Sequence, residues 1–298
     1  MTNILQYIEK TIVFLISIPL VLLNQADKVV NVASPTKTTI VFTGDVMLGR
    51  SVMGESLDNN DLYYPFRNVS SYLRDSDITM VNLENPITKN CQRTVGGYTF
   101  CTTPEIARGL SYSGVDIVNL ANNHTLNYGK DGFSETQKYL GQMGIKYVGK
   151  DNLEIIRKNG TVFGFLGFDL VSNGYDLEKI YKLTNESDKQ VDVLIVNMHW
   201  GNEYESEPNS LQKTVAKKLV QNGADIITGH HPHWVQSFDY VEGIPTYYSL
   251  GNFIFDQSWS EKTKEGLLVK FSFDGSDIDT IEEKRVYMRN FAQPEFVD

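Results

Sequence analysis

The chain has 298 residues, 41% apolar and 21% charged, the composition of an ordinary globular protein with room for one large domain or two small ones. Its formal net charge of −10 supplies no general field for nucleic acid, so no nucleic-acid partner is expected. An anionic substrate would have to be drawn in by local positive charge, which a pair of metal ions can provide.

Residues 11–23 form the one segment that is apolar all round. It is shorter than the roughly 20 residues of a spanning helix and contains Pro19, but its length suits the hydrophobic region of a secretion signal. Residues 1–26 are therefore expected to be a signal peptide or a membrane anchor, with a buried helix as the alternative. Residues 27–37, polar and containing Pro35, follow as a linker. Either export reading makes the protein extracytoplasmic, secreted or membrane-anchored. No linker divides residues 38–298, which are read as one domain.

That domain opens with a strand at 39–43 running into Gly44-Asp45, and a simple rhythm then repeats. An apolar run ends in a polar residue of ligand type, and a helical stretch follows. Ile78 to Leu83 ends in Glu84-Asn85, and Asp116 to Ala121 ends in Asn122-Asn123-His124. Val162 to Phe168 ends in Asp169, and Val191 to Met198 ends in His199-Trp200-Gly201. Ala224 to Thr228 ends in Gly229 and three histidines, and Thr246 to Leu250 ends in Gly251-Asn252.

Between these runs, Thr103-Pro104-Glu105 is an N-cap with proline at the first helical position. Asn209-Ser210 can cap a helix with Leu211, Val215, Leu219 and Val220 as its apolar stripe. Residues 266–273 and 284–289 read as a closing pair of strands. Strands alternating with helices imply an α/β fold with mixed or parallel sheets covered by helices.

Cys91 and Cys101 are the two cysteines, and Gly96-Gly97 between them can turn a hairpin. An even count, close spacing and an oxidising compartment favour a disulfide, with two unpaired thiols as the alternative.

Three of the five histidines fall within His230-His231-Pro232-His233, where proline stiffens the turn. Neutral imidazoles mixed with carboxylate oxygens suit zinc, manganese or iron. In open α/β sheets ligands gather at the carboxyl ends of strands. Here those ends carry Asp45, Glu84, Asn123 with His124, His199, and His231 with His233. Any one could be a turn residue, but the ordered set is what a two-metal hydrolytic site requires. Arg50 and Glu203 are candidate substrate contacts, as are Trp200 and Asn252, and Tyr204, Tyr247, Tyr248 and Phe253 could line the cleft.

The blocks Gly44-Asp45-Val46-Met47-Leu48-Gly49-Arg50, Asn82-Leu83-Glu84, Ala121-Asn122-Asn123-His124, His199-Trp200-Gly201, Gly229 to His233 and Ser249 to Phe253 resemble those of the CapA-like capsule-synthesis proteins. These are associated with poly-γ-glutamate capsule and belong to the metallophosphoesterase-like superfamily. The resemblance implies a four-layer αββα sandwich and two divalent metal ions (manganese, iron or zinc). It implies Asp45 and His233 on one ion, Asn123, His199 and His231 on the other, and Glu84 bridging. His124 would be the free imidazole that protonates the leaving group. Phosphoesterases commonly carry a histidine where this chain has Met47, a gap that Asn85 could fill. The family usually has aspartate where this chain has Asn127.

Three functions follow as expectations. One is an exported metal-dependent hydrolase of a phosphoester or of an amide in a surface polymer. Another is a membrane-associated, non-catalytic factor that binds an anionic capsule polymer. The third is a cytoplasmic nucleotide phosphodiesterase, which requires the N-terminal segment to be structural.

Overall fold

The computed structural model describes residues 37–297; the apolar N-terminal segment, nearly all of the linker and Asp298 lie outside them. No helix among the described residues is long and apolar enough to cross a membrane.

Two sheets carry the chain. The first begins with the parallel strands β1 (Thr38–Val46), β2 (Ile78–Leu83), β3 (Ile117–Asn119) and β4 (Lys146–Val148). The chain then crosses to a second sheet of β5 (Glu154–Lys158), β6 (Thr161–Asp169), β7 (Val193–His199), β8 (Ile226–His230), β9 (Phe238–Val241) and β10 (Ile244–Tyr247), in spatial order β5-β6-β7-β8-β10-β9. It returns to the first sheet with β11 (Asn252–Ile254), β12 (Glu265–Asp274), β13 (Asp277–Met288) and β14 (Pro294–Val297). β12 to β14 extend that sheet antiparallel beyond β1, and β11 pairs with the end of β1 in parallel.

The side-chain alternation of β1 builds the layers. Ile40 and Phe42 face the second sheet and pack in one cluster with Phe163, Phe165, Ile195 and Ile226. Val41 faces the other way, in a cluster shared with α1 (Arg50–Asp58), α2 (Ser70–Arg74), α3 (Pro104–Tyr112) and α4 (Gly129–Gln142). On the far side, Leu194 and Val196 pack against Ile180 of α5 (Leu177–Asp188) and Leu219 of α6 (Ser210–Val220). The result is the αββα layering that the resemblance implies. Strands buried on both faces explain the continuous apolar runs in the sequence.

The helix starts follow their caps. The Thr103 hydroxyl accepts from Ile106 N ahead of α3, and Asn209 with Gln212 forms a capping box ahead of α6 at 2.9 Å in both directions. Two expectations need correction. Leu211 is 38% exposed and does not belong to the buried stripe of α6; Gln212 takes the inward position and bonds Gln236 at 2.9 Å. Residues 92–100 form no strand ladder, so the turn at Gly96-Gly97 joins no hairpin.

Candidate metal centre

The parallel strands of both sheets end at the same place. Asp45, next to the last residue of β1, is fully buried. Glu84 follows β2, also fully buried, with its backbone N–H on the Val46 carbonyl at 2.8 Å. Asn82 lies two residues before Glu84, on the same face of the strand. Its amide nitrogen donates to Asp45 Oδ1 at 2.9 Å and to Glu84 Oε1 at 3.0 Å. Its own oxygen accepts from Asn119 and Asn122, at 3.0 and 3.4 Å, so its orientation is fixed from behind.

The second sheet supplies the imidazoles. His199 ends β7; its Nε2 lies 2.9 Å from Asn123 Oδ1 and its Nδ1 3.6 Å from Glu84 Oε1. His230 ends β8, with Nδ1 3.1 Å from Asp45 Oδ1. His231 and His233 sit on the turn beyond, at φ values of +96° and +58°. Such conformations cost L residues about 1–3 kcal/mol each and persist where the surroundings enforce them. Here the Pro232 carbonyl is held by Tyr204 N at 2.8 Å, and the His231 N–H points at Asp45 Oδ2 at 3.4 Å. The turn brings His233 Nδ1 to 3.1 Å from Asp45 Oδ2 and the His231 ring to 4.9 Å from that of His199. Asp45, Glu84, Asn123, His199, His231 and His233 thus meet in one place despite their separation in sequence.

The electrostatics describe a site short of positive charge. Burial pushes the Asp45 carboxyl up, but hydrogen bonds from His230 and His233 outweigh it and hold the group well below the usual carboxylate range. Burial, and then the Asp45 charge, push Glu84 well above that range. Glu84 Oε2 is buried and, with the group ionised, has no hydrogen-bond partner among the described residues. Burial, reinforced by the neighbouring His231, holds His199 well below its ordinary value, and burial lowers His231 to about 4. These imidazoles are therefore neutral at pH 7, the form that binds metal.

The donors fit divalent ions. Asp45, Glu84 and His233 can each place a ligand atom within 4.8 Å of the others, and so can Glu203, His231 and His233. The unpartnered Glu84 oxygen is the strongest single sign, because burying it alone costs about 1–3 kcal/mol unless something completes it.

Residues 39–257 match the family model of the bacterial capsule synthesis protein PGA_cap. The chain belongs to that family. It is 37% identical over 264 residues to the capsule biosynthesis protein CapA of Bacillus anthracis, covering 79% of this chain and 64% of that protein. To the PGA biosynthesis protein CapA of Bacillus subtilis it is 32% identical over 253 residues, covering 77% and 66%. The chain therefore spans a little under two thirds of the length of these relatives. A hypothetical protein from Thermus thermophilus has a similar fold, with a TM-score of 0.56 at 15% identity over 83% of this chain and 98% of that one.

Several residues singled out in the sequence lie elsewhere or do other work. Asn85 does not fill the gap at Met47: its Oδ1 accepts from Leu48 N at 2.7 Å and its Nδ2 donates to the Pro86 carbonyl at 3.1 Å. Met47 itself is a core residue, packed toward the outer helices. Trp200 is 1% exposed, with its indole N–H on the Tyr248 carbonyl at 2.9 Å, so it belongs to the core and not to a substrate surface. Tyr247, Tyr248 and Phe253 are likewise core. Asn252 orients His233, accepting from its Nδ1 at 2.9 Å. Arg50 pairs with Asp256 at the edge of the site and lines a cleft of about 580 Å³ with Tyr204 and Trp259. Glu203 is exposed and stands among the ligand-type side chains beside His231 and His233.

His124 Nδ1 lies 3.1 Å from Asn127 Oδ1, and its Nε2 lies 3.3 Å from Asn123 Nδ2. Asn127 Oδ1 also accepts from Phe100 N at 2.7 Å, which fixes it as an acceptor and makes Nδ1 the protonated nitrogen of His124. Burial lowers this imidazole to about 4, so at neutral pH it offers a lone pair at Nε2 and not the proton expected of it.

The sequence reading missed Asn82 and His230. Period-two spacing from Glu84 could have found Asn82. His230 was inside the histidine run but was passed over for the His-Pro-His pair that follows it.

Proposed function

We propose that this chain is a metal-dependent hydrolase of capsule or surface-polymer biosynthesis, exported and acting on a phosphoester or amide of that polymer. The observation that carries the reading is the Glu84 carboxyl, buried with one oxygen unpartnered among the described residues when ionised, beside neutral imidazoles and an ionised Asp45. The family supports the biological setting: the relatives named above are described as capsule and PGA biosynthesis proteins.

Asp45, Glu84, Asn123, His199, His231 and His233 would hold two divalent ions. Such ions supply Lewis-acid polarisation and make water nucleophilic at neutral pH. The chain's own groups do the rest. Asn82 and His230 hold the Asp45 carboxylate in one orientation, and Asn252 does the same for His233. His124 Nε2 takes a proton released during attack and returns it to the departing oxygen or nitrogen. Asn127 keeps the ring in the tautomer that allows this. The Arg50–Asp256 pair leaves the adjoining cleft without a free cation among the described residues that line it, so an anionic polymer would be held at the metal centre itself.

The test is turnover of model phosphodiesters and γ-glutamyl peptides by protein loaded separately with manganese, iron and zinc. Hydrolysis of either class supports the reading. A fully loaded protein inert on both would move it to a polymer-binding factor.

A further inference from the structure

The disulfide-closed loop is built into the site at several points. Cys91 and Cys101 are bonded, and residues 92–99 between them are exposed. At the loop's end the chain turns inward. Phe100 is 2% exposed, and its ring centroid lies 4.0 Å from that of His124 and 4.7 Å from the Arg50 guanidinium carbon. The Phe100 N–H shares Asn127 Oδ1 with His124 Nδ1. The Gly97 carbonyl accepts from Arg50 Nη1 at 2.9 Å. The Cys101 carbonyl closes on the residue before Arg50 so tightly that a Cβ on Gly49 would come within 2.3 Å of it. Val95, Gly97 and Tyr98 form one wall of the cleft beside the site.

Within the exposed stretch, Arg93 pairs with Asp58 and the Gly97 carbonyl is held by Arg50. Just outside the loop, Thr88 N bonds the Thr102 carbonyl at 3.0 Å and Thr102 N the Pro86 carbonyl at 2.9 Å, and the bond to Cys91 adds the covalent tie at the loop's neck.

We propose that the Cys91–Cys101 loop is a positioning device for His124 and Arg50, and that the site is fully assembled only while the disulfide is intact. Phe100 is the contact that carries the effect. It fills the space between the two functional side chains, and its backbone sets Asn127. Reduction opens the clamp without touching the residues of the metal centre. Dithiothreitol gives two electrons and two protons to the S–S bond and is left as its own cyclic disulfide, while the protein gains two thiols. The consequence for turnover rests on the hydrolase reading; the positioning of His124 does not.

The experiment follows the histidine rings by nitrogen-15 NMR. With five histidines in the chain, each ring can be assigned by substitution. The full-length protein is measured metal-free and zinc-loaded, before and after dithiothreitol, with the thiols counted. The same spectra are taken for Cys91→Ser/Cys101→Ser and for Phe100→Leu, which keeps the disulfide. The expected result is a shifted or broadened His124 ring in all three cases, with the His199 and His231 rings and the zinc content unchanged. Turnover on an alkyl ester should fall about 10- to 100-fold, the scale of a slightly misplaced catalytic group, and recover on reoxidation. A His124 ring that does not move in the reduced protein and in Phe100→Leu overturns the proposal, even if the double serine variant fails to fold. If the parent shows no turnover, the NMR result still decides the positioning, and only the hydrolase reading falls.

Discussion

Replacing Glu84 by glutamine should separate folding from metal binding. Glu84 is fully buried; one oxygen accepts from Asn82 and the other, when ionised, has no partner among the described residues. Burial and the neighbouring Asp45 raise its carboxyl well above the usual range. The native state therefore binds a proton there that the unfolded chain releases once the pH passes the ordinary glutamate value. With fewer protons on the unfolded side, the Glu84 contribution to metal-free stability falls as pH rises, whatever the histidines add. Glutamine keeps the shape and the Asn82 bond but has nothing to ionise. Metal-free Glu84→Gln should match the parent near pH 4 and exceed it at pH 7 by at most about 3–4 kcal/mol, the linkage limit of about 1.4 kcal/mol for each pH unit above the ordinary glutamate value. For a domain of this size each kcal/mol moves Tm by about 2–4 °C. Metal reverses the ranking. At a free concentration 100 times its Kd, an ion stabilises the parent by about 2.7 kcal/mol, and Glu84→Gln should lose most of that. Thermal melts at pH 4 and pH 7, with and without metal, read both effects. A metal-free Glu84→Gln protein less stable than the parent at pH 7, or one with the parent's full response to metal, would refute the reasoning.

His124→Ala should keep its metal and its fold while turnover drops about 10²–10⁴-fold, less for a nitrophenyl ester than for an alkyl ester; equal losses on both would remove His124 from proton transfer. Burial lowers His124 and His231 to about 4, so the unfolded chain binds the extra protons first as pH falls from 6.5. In metal-free Glu84→Gln, stability should decline between pH 6.5 and pH 4 by about 3 kcal/mol for each histidine, and a flat profile from melts across that window would contradict it. Asn82→Ala removes two hydrogen bonds to carboxylates and should weaken metal binding at least tenfold by chelator competition, whereas an unchanged affinity would reduce Asn82 to packing. Trp200→Ala should cost about 3–5 kcal/mol in denaturant unfolding, as a core residue does, and loss of turnover without loss of stability would restore it to the substrate surface.

The layers and strand ends were legible because parallel strands buried on both faces leave apolar runs that stop at polar residues, as at Ile78 to Glu84 and at Val193 to His199. The antiparallel edge was harder to read. Only residues 284–289, overlapping the end of β13, stood out, since Asp277 to Glu283 are mostly exposed and polar, which reads as loop. Trp200 was misread because an aromatic after a ligand-type histidine suggests a cleft, and nothing in the sequence shows that its N–H reaches the Tyr248 carbonyl. Asn82 was hidden for a related reason: a strand amide shows its role only when two carboxylates arrive from the same side. Asn252 was expected as a substrate contact, and the structure shows its Oδ1 beside His233 Nδ1, a contact that depends on the pairing of β11 with β1.

The most direct measurement is the metal content of the purified full-length protein. It would be stripped, loaded in turn with manganese, iron and zinc, dialysed and analysed beside Glu84→Gln. The site predicts about two ions per parent chain for at least one of these metals, in keeping with the two-ion requirement, and a clear loss in Glu84→Gln. A parent that retains no ion above the buffer level for any of the three would contradict the metal centre and the hydrolytic function built on it.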